Sequence, residues 1–598
     1  MDTPNCRFWN HLAQTRNAGE KKSHEIERII NSLLPEEPSE FQRFWAFNIR
    51  KSWEAPLAEL MHLCLLAQLK ANQKNLPLQK VVIFSPFTPL FIHWGLKEKF
   101  SEVNLQGFFE IRFFIYNLGA LYTNFRSFFE FIVKFNSPLT KHDSKSDPAR
   151  FGVGAAWGTK GSEGGRLDDL FWWRKSSLPG NRVAYLYDRG DIHPKLSEVE
   201  NLKSLGIQPV VINSRLAGDW PQLSCDTRQK KPLSLLICDL FRTVKLTFKS
   251  ISRKTLEKRV ISQVNWRLHK LNRLASVFKL LNIKGVFHHD EAGFDDVTLA
   301  CKLAGGARIG THWSCFNGVC EVNRSHDVFF IWGKHDAKII NGAGSVSKHL
   351  IISGCMPLEN SKKVAHEKAE VIAKTMRNEG VKYLVSIFDC GVPMPNFYNF
   401  FLRWLLEDPC LGILIKPKGE FFFKKMGSDV RTVFDQALRT GRIYLLDEDA
   451  SPADASRVSD FSVGIGSFSA VVVAALHGAR IFYLDYERLN QGPQKPYCTL
   501  HSLGEKRCVF YDPESLKQAV LEYIDNPETN PCLGDASPVL DEFDPFRDGK
   551  ASERIGEYIS WYLEGLDKNL EKDVALQEAT QKYAAKWGAE KVIRNSQT

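Results

Sequence analysis

The chain has 598 residues, with 79 Lys and Arg against 69 Asp and Glu, a formal charge of +10. That excess is too small for the length to argue for nucleic-acid binding, and it suits an enzyme of anionic substrates or one resting on an acidic membrane surface. Hydrophobic residues at 43% and charged residues at 25% exclude a disordered chain.

Thirteen cysteines fall at irregular spacing with no CxxC pair. They predict reduced thiols in a cytoplasmic protein, and no zinc site, Cys315 and Cys320 included. The opening MDTPNCRFWNHLAQTRNAGEKK has no apolar signal-peptide core. No uncharged apolar run reaches the ~20 residues of a membrane span. The expectation is a cytoplasmic protein, able to associate with the inner face of the membrane.

In chain order, residues 1–78 read as a helical extension, with apolar residues at three-and-four spacing in HEIERIINSLL and WEAPLAELMHLCLLAQLKA. KVVIFSP (80–86) reads as a buried strand. The aromatic stretch 107–135 fits either core or a surface dipping into lipid headgroups. Residues 140–180, rich in Gly, Ser and Lys, read as a loop. RVAYLYD, a helix closed by Gly206, and IQPVVINS then form a βαβ unit. The basic segment 240–280 is either a solvated surface helix or a monolayer-facing one.

Strands follow at IKGVFHHDE, ARIGTHWS, VFFIWG, HLIISG, YLVSIFD, LGILIKPK, RIYLLDED, FSVGIGS and RIFYLDY. Helical stretches separate most of them. Alternation sustained through both halves predicts two doubly wound sheets, whose ligands sit at the carboxyl ends of strands.

The site candidates follow from that rule. In SDFSVGIGSFSAVVVAALHG a strand runs into a helix through Gly464, Gly466 and Ser467, with Ser469 one turn on. Glycines and free helix-start amides there favour a phosphate. Lys416 and Lys418 end a neighbouring strand and could neutralise a diphosphate, and Asp447 lies on a third strand-end loop. His289, Asp290 and Glu291 end a strand of the first half, where a carboxylate could deprotonate an acceptor hydroxyl with a histidine tuning it. Helix N-capping by Asp290 explains the same residues equally well. Ser85, Thr88 and Asp188 are further strand-end candidates for acceptor contacts.

The run DEDASPADASRVSDFSVGIGSFSAVVVAALHGARIFYLD resembles the donor-binding part of GT-B glycosyltransferases, notably bacterial surface-carbohydrate and capsule-type transferases. LIKPK is similar to their basic strand-end motif. VFFIWGKHDAKII followed by HLIISGCMP resembles the opening of their second domain, and DPFRDGKASERIGEYI their closing segment. The likeness covers roughly 280–565. Where that family carries Asn-Pro-Arg, this chain has Cys355-Met356-Pro357, so the arginine of that motif is missing.

The resemblance implies two Rossmann-type domains facing a cleft. On this reading 1–78 is the helical extension, and 79–327 the acceptor domain with the basic insertion 240–280. The donor domain is 328–543, and 544–598 holds crossover helices. A nucleotide-sugar would be the donor and a surface glycan, lipid-linked molecule or protein the acceptor. No cofactor, metal or nucleic acid is expected. Asp290 or Glu291 would be the base of an inverting reaction. Two alternatives stay open: a nucleotide-sugar epimerase on the same fold, and a non-catalytic membrane-surface assembly protein.

Overall fold

The computed structural model describes Arg28, Tyr122 and residues 148–594, except 157, 160–167, 189–191, 213–218, 221–222, 224–236, 238–239, 242, 246–247, 249–254, 290–295, 317–325, 343–346, 357–362, 389–394, 419–427, 448–449, 466–467 and 486–494. Apart from Arg28 and Tyr122, the helical extension 1–78, the strand at 80–86 and the aromatic stretch 107–135 lie outside these residues, as do the candidates Ser85 and Thr88.

The first sheet takes β1 (Arg150–Gly154), β2 (Val183–Tyr187), β3 (Gln208–Val211), β4 (Ile283–His289), β5 (Ala307–Thr311), β6 (Val328–Ile331) and β7 (His349–Ile352) in the order 3-2-1-4-5-6-7, all parallel. A last strand, β14 (Val592–Arg594), adds antiparallel beside β7. The second sheet takes β8 (Tyr383–Phe388), β9 (Leu411–Lys416), β10 (Ile443–Leu445), β11 (Phe461–Ile465), β12 (Arg480–Leu484) and β13 (Val509–Phe510). Its order, β10-β9-β8-β11-β12-β13, is the same 3-2-1-4-5-6 winding.

These strands are near-continuous apolar runs because both faces are covered, as parallel sheets require. The covering helices are the expected amphipathic ones. Among them are α1 (Leu196–Ser204), α2 (Thr255–Leu280), α3 (Asp296–Leu303), α4 (Lys334–Gly342), α5 (Lys363–Asn378), α6 (Pro395–Glu407) and α7 (Ser428–Leu438). The short α8 (Pro452–Ser456) and then α9 (Phe468–Leu476) follow. α1 stops as its sequence predicts, with Gly206 at φ 76°.

Three expectations change. Residues 150–154, read as part of a loop, form the central strand β1 between β2 and β4. Gly152 makes this possible, since a Cβ there would sit 2.9 Å from Leu186 Cδ1. Second, β6 and β7, grouped by sequence with the donor domain, hydrogen-bond to β5 and extend the first sheet. The chain therefore passes between sheets after Ile352, beyond the expected boundary at 328. Third, the tail holds β14 in addition to its helices.

After β13 the chain continues through α10 (Pro513–Asp525) and α11 (Leu540–Phe543), then returns to the first sheet as α12 (Ala551–Asp567) and α13 (Lys572–Trp587). Ile555, Tyr558, Tyr562 and Tyr583 share one core with Phe151, Phe287 and Phe330 of the first sheet. Tyr562 donates to the Lys284 carbonyl at 2.8 Å and Tyr583 to that of Ile352 at 2.7 Å, so these buried hydroxyls keep a partner. Two doubly wound sheets closed by returning C-terminal helices make a GT-B architecture.

Both crossings are tied at one carboxylate. Buried Asp544 accepts the backbone N–H groups of Cys355 (2.9 Å), Phe546 (2.8 Å) and Arg547 (3.0 Å). Arg554, fully buried, donates to the Ser353 carbonyl at 3.0 Å and grips Asp548. Its guanidinium lies over Phe546, 3.5 Å from the ring centroid.

Candidate functional site

In each sheet the winding reverses between the strand that is first and the one that is fourth in the order: β1 and β4, and β8 and β11. The crevice outside the carboxyl ends of such a pair is where ligands of this topology bind. In the second sheet that edge is formed by Phe388, Lys416 and Ile465, with α9 opening three residues after β11. Gly464 lies within β11, in register with Phe388 on one side and Tyr483 on the other.

Lys416 ends β9 at this edge and is buried, its amine donating to the Pro417 carbonyl. Lys418, two residues on, is exposed. Ser469 is half-buried and donates to the Cys315 carbonyl of the other unit at 3.3 Å. Asp447 is exposed on the β10 side and pairs with Lys368 at 2.8 Å. The second-sheet candidates therefore share one edge, although Asp447 is held by a surface ion pair away from its centre. Gly466 and Ser467 lie outside the described residues.

In the first sheet, His289 is the last residue of β4, one strand from the β1 terminus. Asp290 and Glu291 lie outside the described residues. Asp188 is half-buried just beyond β2. The turn after β1 is fixed by two acids the sequence did not single out. Asp169 Oδ2 accepts the amides of Ala156 and Gly158, each at 2.9 Å, and the Tyr185 hydroxyl at 2.7 Å. Glu198 accepts the amide of Thr159 at 2.9 Å and the Tyr187 hydroxyl at 2.7 Å. Burial first, then Asp169, pushes the Tyr185 phenol far above its ordinary value. That phenol acts as a donor to the acid and not as a base.

The two units meet where carboxyl ends of β5 and β6 approach α9. His312, just beyond β5, places Nδ1 2.6 Å from the Ser314 carbonyl and Nε2 3.3 Å from Asp336. Asp336, in the first turn of α4, also accepts the amides of Trp332 and Phe316. Burial opposes its ionisation, but His312, His335 and the Trp332 amide outweigh that and hold the carboxyl below its ordinary range. His335 reaches the second unit, with Nδ1 2.6 Å from the Thr499 hydroxyl and Nε2 2.7 Å from the Phe316 carbonyl. The carbonyl can only accept, so Nε2 carries the proton and Nδ1 accepts from Thr499.

Cys315, His335 and Asp336 bring one potential ligand atom each to within 4.8 Å of one another. Both nitrogens of His335 are nevertheless committed, and Asp336 is shared between amides and His312. The trio is a hydrogen-bonded joint between the units, which accounts for its burial without a metal.

A second edge pair was not foreseen. Asp485, directly beyond β12, is buried and accepts from His501 Nε2 at 2.9 Å. A depression of about 340 Å³ lined by Arg457, Asp460, His477 and Arg480 lies instead at the amino ends of β11 and β12. Arg457 and His477 directly follow α8 and α9, where cations complement helix C-termini. It belongs to the opposite edge from the candidate site.

No family model matches the chain. No curated protein matches it either. Solved structures do. The wall teichoic acid polymerase TagF is 9% identical, covering 77% of this chain and 99% of its own, at a TM-score of 0.41. The S. aureus MnaA–UDP co-structure is 16% identical over 70% and 97%, at 0.38. MurG of Acinetobacter baumannii is 12% identical over 69% and 99%, at 0.38. At such scores these likenesses transfer no residue role or ligand, and the assignments above rest on the strand order and side chains of this chain alone.

Proposed function

We propose that this chain is a glycosyltransferase that takes a sugar from a nucleotide donor held at the carboxyl edge of the second sheet. The observation that carries this reading is the repeated 3-2-1-4-5-6 winding, with both carboxyl edges brought together through Ser469–Cys315 and Thr499–His335. Each switch point offers one binding crevice, so a donor and an acceptor would meet between the units.

The donor phosphates would lie over the turn between β11 and α9, where Gly464, Gly466, Ser467 and the helix-start amides favour an anion. Lys416 and Lys418 would add positive charge as the nucleotide leaves, without a metal. Lys416 would have to exchange the Pro417 carbonyl for phosphate. The acceptor hydroxyl would be deprotonated from the end of β4, by Asp290 or Glu291 with His289 beside them, if the reaction inverts. Asp188 and the turn pinned by Asp169 and Glu198 would line the acceptor side, with Ser85 and Thr88 as further candidates.

The acceptor would be a surface glycan, a lipid-linked molecule or a protein, met at a membrane through 240–280. Phe241 and Phe248 are 71% and 69% exposed, and Lys245 between them is exposed too. Positions i, i+4 and i+7 share a helix face, which suits an anionic interface. No helix among the described residues is long and apolar enough to cross a membrane.

The test is incubation with a panel of nucleotide-sugars and a glycolipid extract, following the donor by mass spectrometry. Nucleoside diphosphate together with a sugar-bearing product supports transfer. An isomerised donor with no acceptor consumed would make the epimerase reading correct, and an unchanged donor with every sugar would favour the assembly protein.

A further inference from the structure

The loop between β12 and β13 carries a carboxylate–imidazole pair at the same edge of the second sheet as the phosphate turn. We propose that His501, oriented by Asp485, is a direct contact for the phosphate groups of the donor. The inference rests on the donor-site reading above and adds to it an anion-binding residue outside the turn.

Asp485 directly follows β12, which neighbours β11 in the sheet. Its amide donates to the Phe510 carbonyl at 2.8 Å, so the carboxylate is anchored in the sheet framework. The carboxyl is wholly buried, while the His501 side chain keeps 13% of its surface exposed. Nε2 is committed to Asp485 at 2.9 Å, which fixes the ring and directs Nδ1 away from the carboxylate. A phosphate oxygen arriving at Nδ1 would be met by an N–H there, a charge-assisted bond because the acceptor is ionised. A ring held for packing alone would need no buried anion, whose desolvation is costly.

The position also fits. His501 lies in the 3-10 turn Thr499–Leu503, whose Thr499 touches His335 of the first unit. The same His335 ring lies 5.7 Å from the ring of Phe468, the first residue of α9. The turn carrying His501 and the start of the phosphate-facing helix thus flank one histidine. Burial and then Asp485 push the Cys498 thiol up to about 12 while Lys338 on α4 opposes them, so a lysine also lies near this turn.

The test is calorimetric titration of the full chain and of H501Q with inorganic pyrophosphate, with UDP, GDP, CDP and ADP, and with the matching nucleosides. Melting temperatures are taken alongside. The expected result is that the preferred diphosphate and pyrophosphate bind H501Q roughly tenfold or more weakly, as for a lost charge-assisted bond, while nucleoside binding stays unchanged. D485N, which leaves His501 in place, should weaken diphosphate binding less. Equal diphosphate affinity in wild type and H501Q would overturn the His501 contact and leave the donor site standing. Parallel loss of nucleoside and diphosphate affinity would also overturn it, because it marks a packing role. Wild-type protein that binds none of these molecules would overturn both readings.

Discussion

His335 Nδ1 lies 2.6 Å from the hydroxyl of Thr499, and this bond joins the α4 end of the first sheet to the β12–β13 connection of the second. The His335 ring is also close to Phe543, 4.8 Å between centroids, just before the chain returns to the first unit. Burial is the main influence on His335 and depresses its pKa, so the ring stays neutral and its single N–H serves Phe316. Thr499→Val should then leave a buried acceptor unpaired and destabilise the chain by about 1–3 kcal/mol. Denaturant unfolding monitored by tryptophan fluorescence measures this, and an unchanged midpoint would show that the bond holds nothing.

Asp544 makes a stronger demand. Replacing it by Ala orphans three backbone donors at the two crossings, with an expected cost of about 2–4 kcal/mol. Asp544→Asn keeps one acceptor oxygen and should cost less. Hydrogen exchange at Cys355 and Phe546 checks the mechanism, since both amides should lose protection in Asp544→Ala.

The buried acid Asp327 predicts a pH dependence. Burial opposes its charge, but Lys302 at 3.2 Å, Lys572 at 3.6 Å, Lys348 at 3.8 Å and the Arg308 amide at 2.8 Å outweigh it and hold the carboxyl below its ordinary value. A depressed carboxyl contributes stability above the unfolded pKa near 4, and that stability is lost as pH falls through the lower folded pKa. Asp327→Asn should be less stable at neutral pH by about 3–5 kcal/mol, because three lysines lose a buried partner. Its stability should also fall less steeply between pH 5 and 3 than that of the wild type, as read from urea midpoints across that range.

The exposed aromatics give a prediction for the membrane. Phe241→Ser combined with Phe248→Ser should lower binding to vesicles containing phosphatidylserine by roughly tenfold, since each ring loses its burial in the interface. Co-sedimentation equal to wild type would remove 240–280 from the membrane account.

Much of the architecture was legible because its strands are continuous apolar runs and its helices carry one apolar face. β8, β9, β11 and β12 fall where LIV-rich segments end in Gly, Lys or Asp. β1 was hidden because RFGVG has two glycines and reads as a loop; its burial comes from neighbours on both sides, which local pattern does not encode. β6 and β7 were legible as strands, but periodicity does not reveal which sheet a strand joins. The site was less legible. Lys416 and Ser469 stand at the expected edge, whereas Asp169 and Glu198 act on β1, β2 and their turns through contacts 11 to 39 residues apart. Thr499 meets His335 across 164 residues. Such pairings are set by the packing of the two units, and no spacing in the sequence announces them.

The most direct measurement is hydrogen exchange of the full chain with and without saturating UDP, GDP, CDP or ADP. One of the four should slow exchange in 411–418 and 461–476, where Lys416 and the turn into α9 lie, and leave β2 and β3 unaffected. Unchanged exchange in both segments with all four nucleotides would contradict a donor site at the second sheet.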